Sequence, residues 1–500
     1  MQVVDWLAKQ ASLNPGKIAL VDLAGGREIS YHELNQRASR VAGLIKRWSI
    51  APNARVAVLA HNSIEYIEWL YGCARAQTIM VCLNWRLSAN ELADILADAS
   101  PTALVYGPEF ALGAQHLAQM QGIGRIIGLA EEYEAALDET SPGPPDWGWR
   151  EEGEPWYLLY VPGFPARYKG VIHTFGMCFL NAVHDMLAME LHQHDVFLSV
   201  LPFHHTSGLN VFLNPMLMVG GQTLIMPQFD AAATITLLQT RTDVFFAVAA
   251  IYRFLSQQAG FAEADFSRVR RWGVGATPMS PQLLSAWRER GICVRSGYGL
   301  TETGPTVFLA DATTAARKPG SVGKPVGTMQ CRVIDRHNVE LGANQRGELL
   351  IRGSGLTPGY WRMPEATAAA FTDGWLRTGD IAYFDDEGDY FIVDRMKNMF
   401  ISGDEAVYPA EVESVLAEMP EIAENFVFPV SDECWGEAGR ALIALRPGMR
   451  LDEQQVKAHC RERLAAFKVP RDVEFVAALP RDATGKIDKI RLRAQWAEKP

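Results

Sequence analysis

The chain has 500 residues, room for about three domains of ordinary size. Its 48% hydrophobic and 21% charged composition excludes a mainly disordered protein. Acidic residues outnumber basic ones, 58 to 47, for a net charge of −11, so no nucleic acid is expected as a partner, because a general nucleic-acid binder needs a basic face.

Ser30 followed by Glu33 predicts a capping box opening a helix through Ile45. Val56–Leu59 reads as a buried strand and Glu65–Ala76 as a helix. Strand–helix alternation recurs at Val196–Leu201, Thr223–Met226 and Asp243–Leu255, which implies an α/β protein with a parallel sheet covered by helices. Pro142–Pro145 reads as an exposed loop. After about residue 320 the texture changes. GSVGKPVG, MQCRVID and RGELLIRG predict short strands of a small antiparallel, barrel-like unit, and YFDDEGDYFIV predicts a hairpin turning at Asp385–Gly388. The block 395–500 carries helical patterns at Ala410–Glu418 and Glu453–Ala466 among short strands, an α+β unit. The expected organisation is a large N-terminal domain over 1–394, β-rich from about 320, and a C-terminal domain over 395–500.

Seven scattered cysteines (Cys73, Cys82, Cys178, Cys293, Cys331, Cys434 and Cys460) form no CxxC pair, which disfavours structural zinc or a disulfide framework and fits reduced thiols. The opening MQVVDWLAKQ carries Asp5 and Lys9 where a secretion signal needs an apolar run. No stretch approaches the ~18 apolar residues of a spanning helix. A cytoplasmic protein without a transmembrane segment is expected, with peripheral membrane contact left open.

Five blocks carry candidate chemistry. YVPGFPARYKG (160–170) follows the predicted strand Tyr157–Val161 and holds Gly163, Lys169 and Gly170. A Gly-rich loop with a lysine can cradle phosphates through its N–H groups; a plain strand–turn–helix connection explains it as well. It is not a Walker A loop, since Tyr168 precedes and Gly170 follows the lysine. In SGYGLTETG (296–304), after the short apolar strand Ile292–Val294, the Tyr298–Gly299 pair lets backbone approach a flat ring, and Thr301 and Glu302 offer oxygens to Mg²⁺. A polar turn capped at Thr301 is the competing reading. In WLRTGDIAYFDDEG (375–388), Asp380 follows Gly379 in a tight turn and can accept from both hydroxyls of a ribose, or close an Asx-turn. Read alone, IVDRMKNMFISGDEAVYPAEVE (392–413) is a linker, and Lys486 in LPRDATGKIDKIRLR (479–493) a solvated lysine on a loop tip. Hydrolase signatures are missing, with no G-x-S-x-G and no H-E-x-x-H; His192 and His194 read as a solvated helix end.

Taken together, the identity, order and spacing of these blocks, with LPFHHTSGL (201–209) and GVGATPMS (273–280), resemble the adenylate-forming superfamily over essentially the whole chain. That superfamily comprises acyl-CoA synthetases, peptide-synthetase adenylation domains and firefly-type luciferases. The resemblance implies a large domain of parallel α/β subdomains with a small β-barrel-like unit, followed by a small mobile C-terminal domain. It implies two half-reactions: a carboxylate attacks ATP to give an acyl-adenylate and pyrophosphate, and a thiol then displaces AMP. Residue by residue, Lys486 matches the mobile lysine that bridges carboxylate and phosphate. Glu302 matches the Mg²⁺ partner and Thr301 a phosphate contact. Gly163 and Lys169 belong to the phosphate loop. Gly275, Ala276 and Thr277 with Tyr298 would sandwich adenine, and Asp380 would hold the ribose with Arg395 nearby. His205 matches a gating histidine beside an acyl pocket walled by Phe246 and Gly299; Ala249 stands where the family often has proline. Lys397 takes the hinge position. Ser402 and Gly403 would line the pantetheine tunnel, and Trp435, Gly436 and Glu437 resemble a segment that meets the thiol donor.

One block departs from its relatives. The family's phosphate loop reads Tyr-Thr-Ser-Gly-Thr-Thr-Gly-x-Pro-Lys-Gly; here Val161, Pro162, Phe164 and Pro165 stand at the hydroxyl positions and Ala166 replaces the second glycine. The two prolines lack N–H groups, and each lost phosphate hydrogen bond costs on the order of 1–3 kcal/mol, so reduced ATP use is expected. The leading reading is an ATP- and Mg²⁺-dependent ligase joining a small carboxylic acid to coenzyme A. An amine or a carrier protein as acyl acceptor, and a non-catalytic adenylate-binding protein, are the alternatives; luciferase-like oxygenases share the motifs. Intact Lys486, Asp380, Lys397 and Glu302 weigh against a non-catalytic protein. A monomer or homodimer is expected.

Overall fold

The computed structural model describes residues 1–162, 168–276, 278–395, 398–402, 405–432, 436–464, 466–481 and 487–496. The Ser30–Glu33 capping box forms: Ser30 Oγ accepts from the Glu33 N–H at 3.2 Å and Glu33 Oε2 accepts from the Ser30 N–H at 2.9 Å. The helix it opens, Tyr31–Arg47, buries Leu34, Ala38, Val41 and Ile45 on one face, as a 3.6-residue period requires. That face packs closely on helix Ile64–Arg75, where a Cβ at Gly72 would lie 2.4 Å from Val41 Cγ1.

Two largely parallel sheets follow from the strand–helix alternation. The first has six strands in the order Tyr168–Thr174, Pro155–Pro162, Ile79–Cys82, Arg55–Leu59, Ala103–Tyr106 and Arg125–Gly128, parallel except for the first pair. The second has eight: Thr306–Leu309, Val294–Gly299, Arg271–Gly275, Val244–Val248, Val196–Ser199, Gln222–Ile225, Ile18–Asp22 and Glu28–Ser30, antiparallel only at its two edges. Ligand sites in such sheets lie beyond the carboxyl ends of the strands. Val248, Gly275 and Gly299 are three neighbouring carboxyl ends of this second sheet.

A five-stranded antiparallel sheet follows over 330–395, and another over 400–476 in which only Asp472–Val476 runs parallel to its neighbour. The last sheet has its own core of Phe400, Val412, Leu416, Val427, Ile443 and Val456. Three sequence expectations change. GSVGKPVG forms no strand but only isolated bridges, Gly323 to Tyr390 and Pro325 to Phe308, because proline offers no ladder N–H. The strand after Gly291 runs over Val294–Gly299, through the Tyr298 motif rather than ending before it. Asp380 sits inside the ten-residue strand Trp375–Phe384, where Gly379 takes φ +66°, not in a turn between strands. Among the described residues no helix is long and apolar enough to cross a membrane, and the described cysteines are free.

The N-terminal segment is fixed by a fully buried ion pair. Arg75 Nε donates to Asp5 Oδ2 at 2.9 Å, its other nitrogens donate to Asn35 and Ser39, and Asp5 Oδ1 caps helix Trp6–Leu13 through the Ala8 N–H. Asp5→Ala strands a buried guanidinium, which costs about 3–5 kcal/mol. Urea unfolding followed by tryptophan fluorescence should show a lower midpoint. An unshifted midpoint would mean that the pair contributes nothing to stability.

Candidate active site

The floor of the site is backbone. Gly273 lies mid-way along strand Arg271–Gly275 and Gly275 ends it, and a Cβ on either would lie 2.7 Å from the Phe246 ring of the neighbouring strand. Phe246 is therefore laid flat on this glycine strip, edge-on to Phe212 at 5.4 Å. Ala276, next in the chain, takes φ +65°, a conformation that costs a residue with a Cβ. Such strain clusters at ligand sites. One strand over, Gly299 admits no side chain, since its Cβ would lie 1.5 Å from Pro305 O.

Tyr298 and Asp380 meet here from different sheets. The Tyr298 hydroxyl donates to Asp380 Oδ2 at 2.6 Å, and the carboxylate is 3% exposed. The Asp380 N–H donates to Thr378 Oγ1 at 3.0 Å, and Arg395 faces Asp380 in the antiparallel register. Thr301 and Glu302 form a one-turn 3-10 helix just past Gly299. Glu302 Oε1 accepts from the Tyr360 hydroxyl at 2.8 Å, and Lys169 Nζ lies 4.9 Å from the centroid of the same ring. Burial and the neighbouring Glu302 carboxylate push the Tyr360 phenol up, so it stays a donor.

Residues 357–361 strap these parts together. The Thr357 N–H donates to Glu302 O at 2.9 Å, its hydroxyl to Ile172 O at 2.7 Å, and the Trp361 N–H to Gly170 O at 2.7 Å. Sequence reasoning missed Tyr360 and Thr357. The available signal was TPGY: a proline and a glycine in front of an aromatic residue, with Gly359 at φ +142°.

His205 precedes the short helix Thr206–Gly208, half-buried, its ring 4.5 Å from that of His204. Burial, reinforced by His205, Arg86 and His61, holds His204 well below the usual imidazole range, hence neutral. Gly208 is required by close approach, since a Cβ would lie 2.1 Å from Pro202 O. Beneath His205 lies a buried polar network that the sequence reading also missed. The Asn210 side chain donates to Thr206 Oγ1 at 3.1 Å and accepts from the Tyr157 hydroxyl at 2.6 Å. Its partner His173 is pushed down to about 3 by burial. Asn181 donates to Asn210 O at 2.8 Å and to Asp185 Oδ2 at 2.9 Å, and accepts from the Thr306 N–H at 2.9 Å. The signal was Asn181 and Asp185 four apart within the apolar helix Phe175–Ala188.

Of the residues expected at the thiol tunnel, Ser402 and Gly436 lie opposite each other in neighbouring strands, with Ser402 buried and Glu437 next in the same strand as Gly436. Gly163, Thr277, Lys397, Gly403, Trp435 and Lys486 lie outside the described residues. Among the described residues no group of three or more His, Cys, Asp or Glu is placed to hold a metal ion. Glu302 is thus a single carboxylate at the turn, which suits a cation that arrives on a phosphate ligand better than an all-protein cage.

Asn181→Ala leaves the Thr306 N–H buried without its acceptor, a loss of about 1–3 kcal/mol. Thermal and urea unfolding should both detect it. A variant as stable as the native protein would show that the junction does not depend on this amide.

The strand-end glycines, a buried carboxylate, a lysine and a single carboxylate thus lie around one junction of the sheets. Residues 7–361 match the model of the AMP-binding enzyme family, and residues 411–486 match its C-terminal domain. The chain is 34% identical over 493 residues to the feruloyl-CoA synthase of an Amycolatopsis species, with 98% of each chain covered. It is 34% identical to the indoleacetate–CoA ligase of Aromatoleum aromaticum, covering 100% of this chain and 99% of that one. It superposes on ATP-bound MatB from Rhodopseudomonas palustris with a TM-score of 0.92 at 29% identity and on apo MatB with 0.83, covering 99% of each chain. The chain therefore belongs to the AMP-binding, adenylate-forming enzyme family.

Proposed function

We infer that this protein is an acid–thiol ligase that uses ATP to activate a carboxylic acid as an acyl-adenylate and passes the acyl group to coenzyme A. The observation that carries this reading is the Tyr298–Asp380 pair set against the Gly275–Ala276 strand end. It offers adenine a flat face and the ribose a buried acceptor. In the first step a carboxylate oxygen attacks the α-phosphorus and the bond to pyrophosphate breaks. In the second, the thiol sulfur attacks the acyl carbon, AMP leaves, and the thiol proton passes to solvent.

Both partners of the first step are anions, so positive charge at the reacting oxygens lowers the barrier. Lys486 supplies it at the carboxylate and Lys169 at the phosphates. Glu302 would hold a Mg²⁺ that arrives with the nucleotide, and such an ion would supply positive charge beside the pyrophosphate leaving group. Lys397 is the hinge about which the C-terminal unit, from residue 395 on, turns between the steps, exchanging Lys486 for Ser402 and Gly436 at the site. The Phe246 and Phe212 rings wall the acyl pocket and favour an apolar, aryl-type acid. The relatives named for ferulate and indoleacetate support that choice.

Incubation with ATP, Mg²⁺, coenzyme A and a panel of acids should release AMP and pyrophosphate, with arylpropenoic or arylacetic acids preferred about tenfold or more over malonate, the difference expected when a second carboxylate enters an apolar pocket. ADP as product would refute the adenylate route, and a preference for malonate would refute the pocket assignment.

The altered loop gives a second test. Val161, Pro162, Phe164 and Pro165 offer no side-chain donors to the β- and γ-phosphates. Restoring Val161→Thr, Pro162→Ser, Phe164→Thr, Pro165→Thr and Ala166→Gly should raise kcat/KM for ATP. Thioester formation from supplied acyl-AMP, which lacks those phosphates, should stay nearly constant. An ordinary KM for ATP in the native protein, with no gain on restoration, would show that backbone groups alone position the triphosphate.

A further inference from the structure

Arg253, Glu424 and Arg481 form an ion triad that joins the C-terminal sheet to the wall of the acyl pocket. Arg253 lies in the last turn of helix Ala249–Ser256, which begins where the strand carrying Phe246 ends. Its Nη1 is 3.4 Å from Glu424 Oε1, and the same oxygen accepts from Arg481. Glu424 stands on strand Ile422–Asp432 of the C-terminal sheet. Arg481 bridges to Ile487 and precedes Lys486 by five residues. The carboxylate is 20% exposed, and the two guanidinium groups 35% and 37%. One acidic residue thus ties Arg481 and the C-terminal sheet to a helix of the large domain. In this arrangement the whole chain follows the ATP-bound relative more closely than the apo one.

We propose that Glu424, clasped by Arg253 and Arg481, is a positioning residue for the first half-reaction: it holds the C-terminal unit in the orientation that serves adenylation, and the clasp must open before the thiol step. This rests on the two-step reading given above. None of the three side chains is assigned to the reacting atoms; they set a population. If the C-terminal unit exchanges between two orientations, the ratio of the two half-reaction rates is proportional to the ratio of the two populations, whichever is in excess. A half-exposed charge pair is a small bias, but a ratio reads it directly, and salt screens it.

The test measures pyrophosphate release from ATP and acid, and separately thioester formation from supplied acyl-AMP, in native protein, Arg253→Gln, Glu424→Gln and the double variant. The adenylation-to-thioesterification ratio should fall about two- to fivefold in each single variant, as loss of a surface ion pair allows. Arg253→Gln should add little in the Glu424→Gln background. Raising the ionic strength should lower the native ratio towards that of Glu424→Gln and leave the variant's ratio unchanged. Arg463→Gln, which breaks a comparably exposed pair with Glu418 inside the C-terminal unit, should leave the ratio at the native value. A ratio unchanged in both single variants, or equal loss of both half-reactions, overturns the proposal.

A readout independent of catalysis separates this from failure of the ligase reading. Fluorescence transfer between dyes on Gln119→Cys and Gln454→Cys, in a Cys293→Ser background, should report a shifted distance distribution in Glu424→Gln. An unshifted distribution overturns the clasp whatever the enzyme does. Absence of adenylation in a native protein whose distribution does shift would overturn only the reaction assigned above.

Discussion

The site exists because two parallel sheets meet, and one buried amide ties three parts of their junction together. Asn181, on the helix that follows the last strand of the first sheet, reaches the backbone of Asn210 and of Thr306 at once. Thr306 opens the edge strand that pairs with the Tyr298 strand, and Asn210 belongs to the turn just after His205. A carboxamide offers both a donor and an acceptor, which an aliphatic residue of similar size does not. The neighbouring Asp185 is fully buried, its carboxyl pushed well up by burial, so no charge has to be accommodated at the junction. Neutral hydrogen bonds fix the geometry there, while charge is kept for the ligand side of the turn.

The ligand side is built from backbone rather than from side chains. Gly208, Gly275 and Gly299 each sit where a Cβ would overlap a carbonyl oxygen or an aromatic ring. The resulting surface is flat and close to the chain, the shape that a purine needs. The same closeness explains why the polar groups come from elsewhere. Asp380 arrives from the antiparallel sheet, Tyr360 from the strap at 357–361, and Lys169 from the first parallel sheet. Each is set by a different element, so the constellation forms only when all three sheets are assembled.

This division also explains what could be read from the sequence. The parallel α/β class, the Ser30 capping box and the Asp385–Gly388 hairpin all follow from local periodicity and turn chemistry, and the structure has them. The blocks that carry the family resemblance were legible because they are contiguous. Asn181, Asn210, Thr357 and Tyr360 were not, because their partners lie between 29 and 185 residues away and no local pattern encodes such pairing. Asp380 was placed in a turn because a glycine before an aspartate usually makes one; here the pairing of a long strand on both sides overrides that preference, and the glycine absorbs a bulge instead.

The hydroxyl-poor phosphate loop then acquires a physical context. On the function proposed above, with Val161, Pro162, Phe164 and Pro165 in place of donors, Lys169 would carry more of the phosphate contact than it would beside four hydroxyls. Its ammonium already lies over the Tyr360 ring, whose hydroxyl is engaged by Glu302. A cation over an aromatic face is worth about 0.5–2 kcal/mol, so Lys169 is held over the Tyr360 ring before any ligand arrives. Less of its side-chain entropy remains to be lost on binding. The phenol, the lysine and the carboxylate therefore act as one preorganised unit. If Lys169 meets the phosphates as proposed, this preorganisation would offset part of what the loop has given up, and only for a ligand that carries the β- and γ-phosphates. On the function proposed above, an acyl-adenylate, which lacks them, would gain nothing from this unit and would rest instead on groups such as Tyr298, Asp380 and the glycine floor.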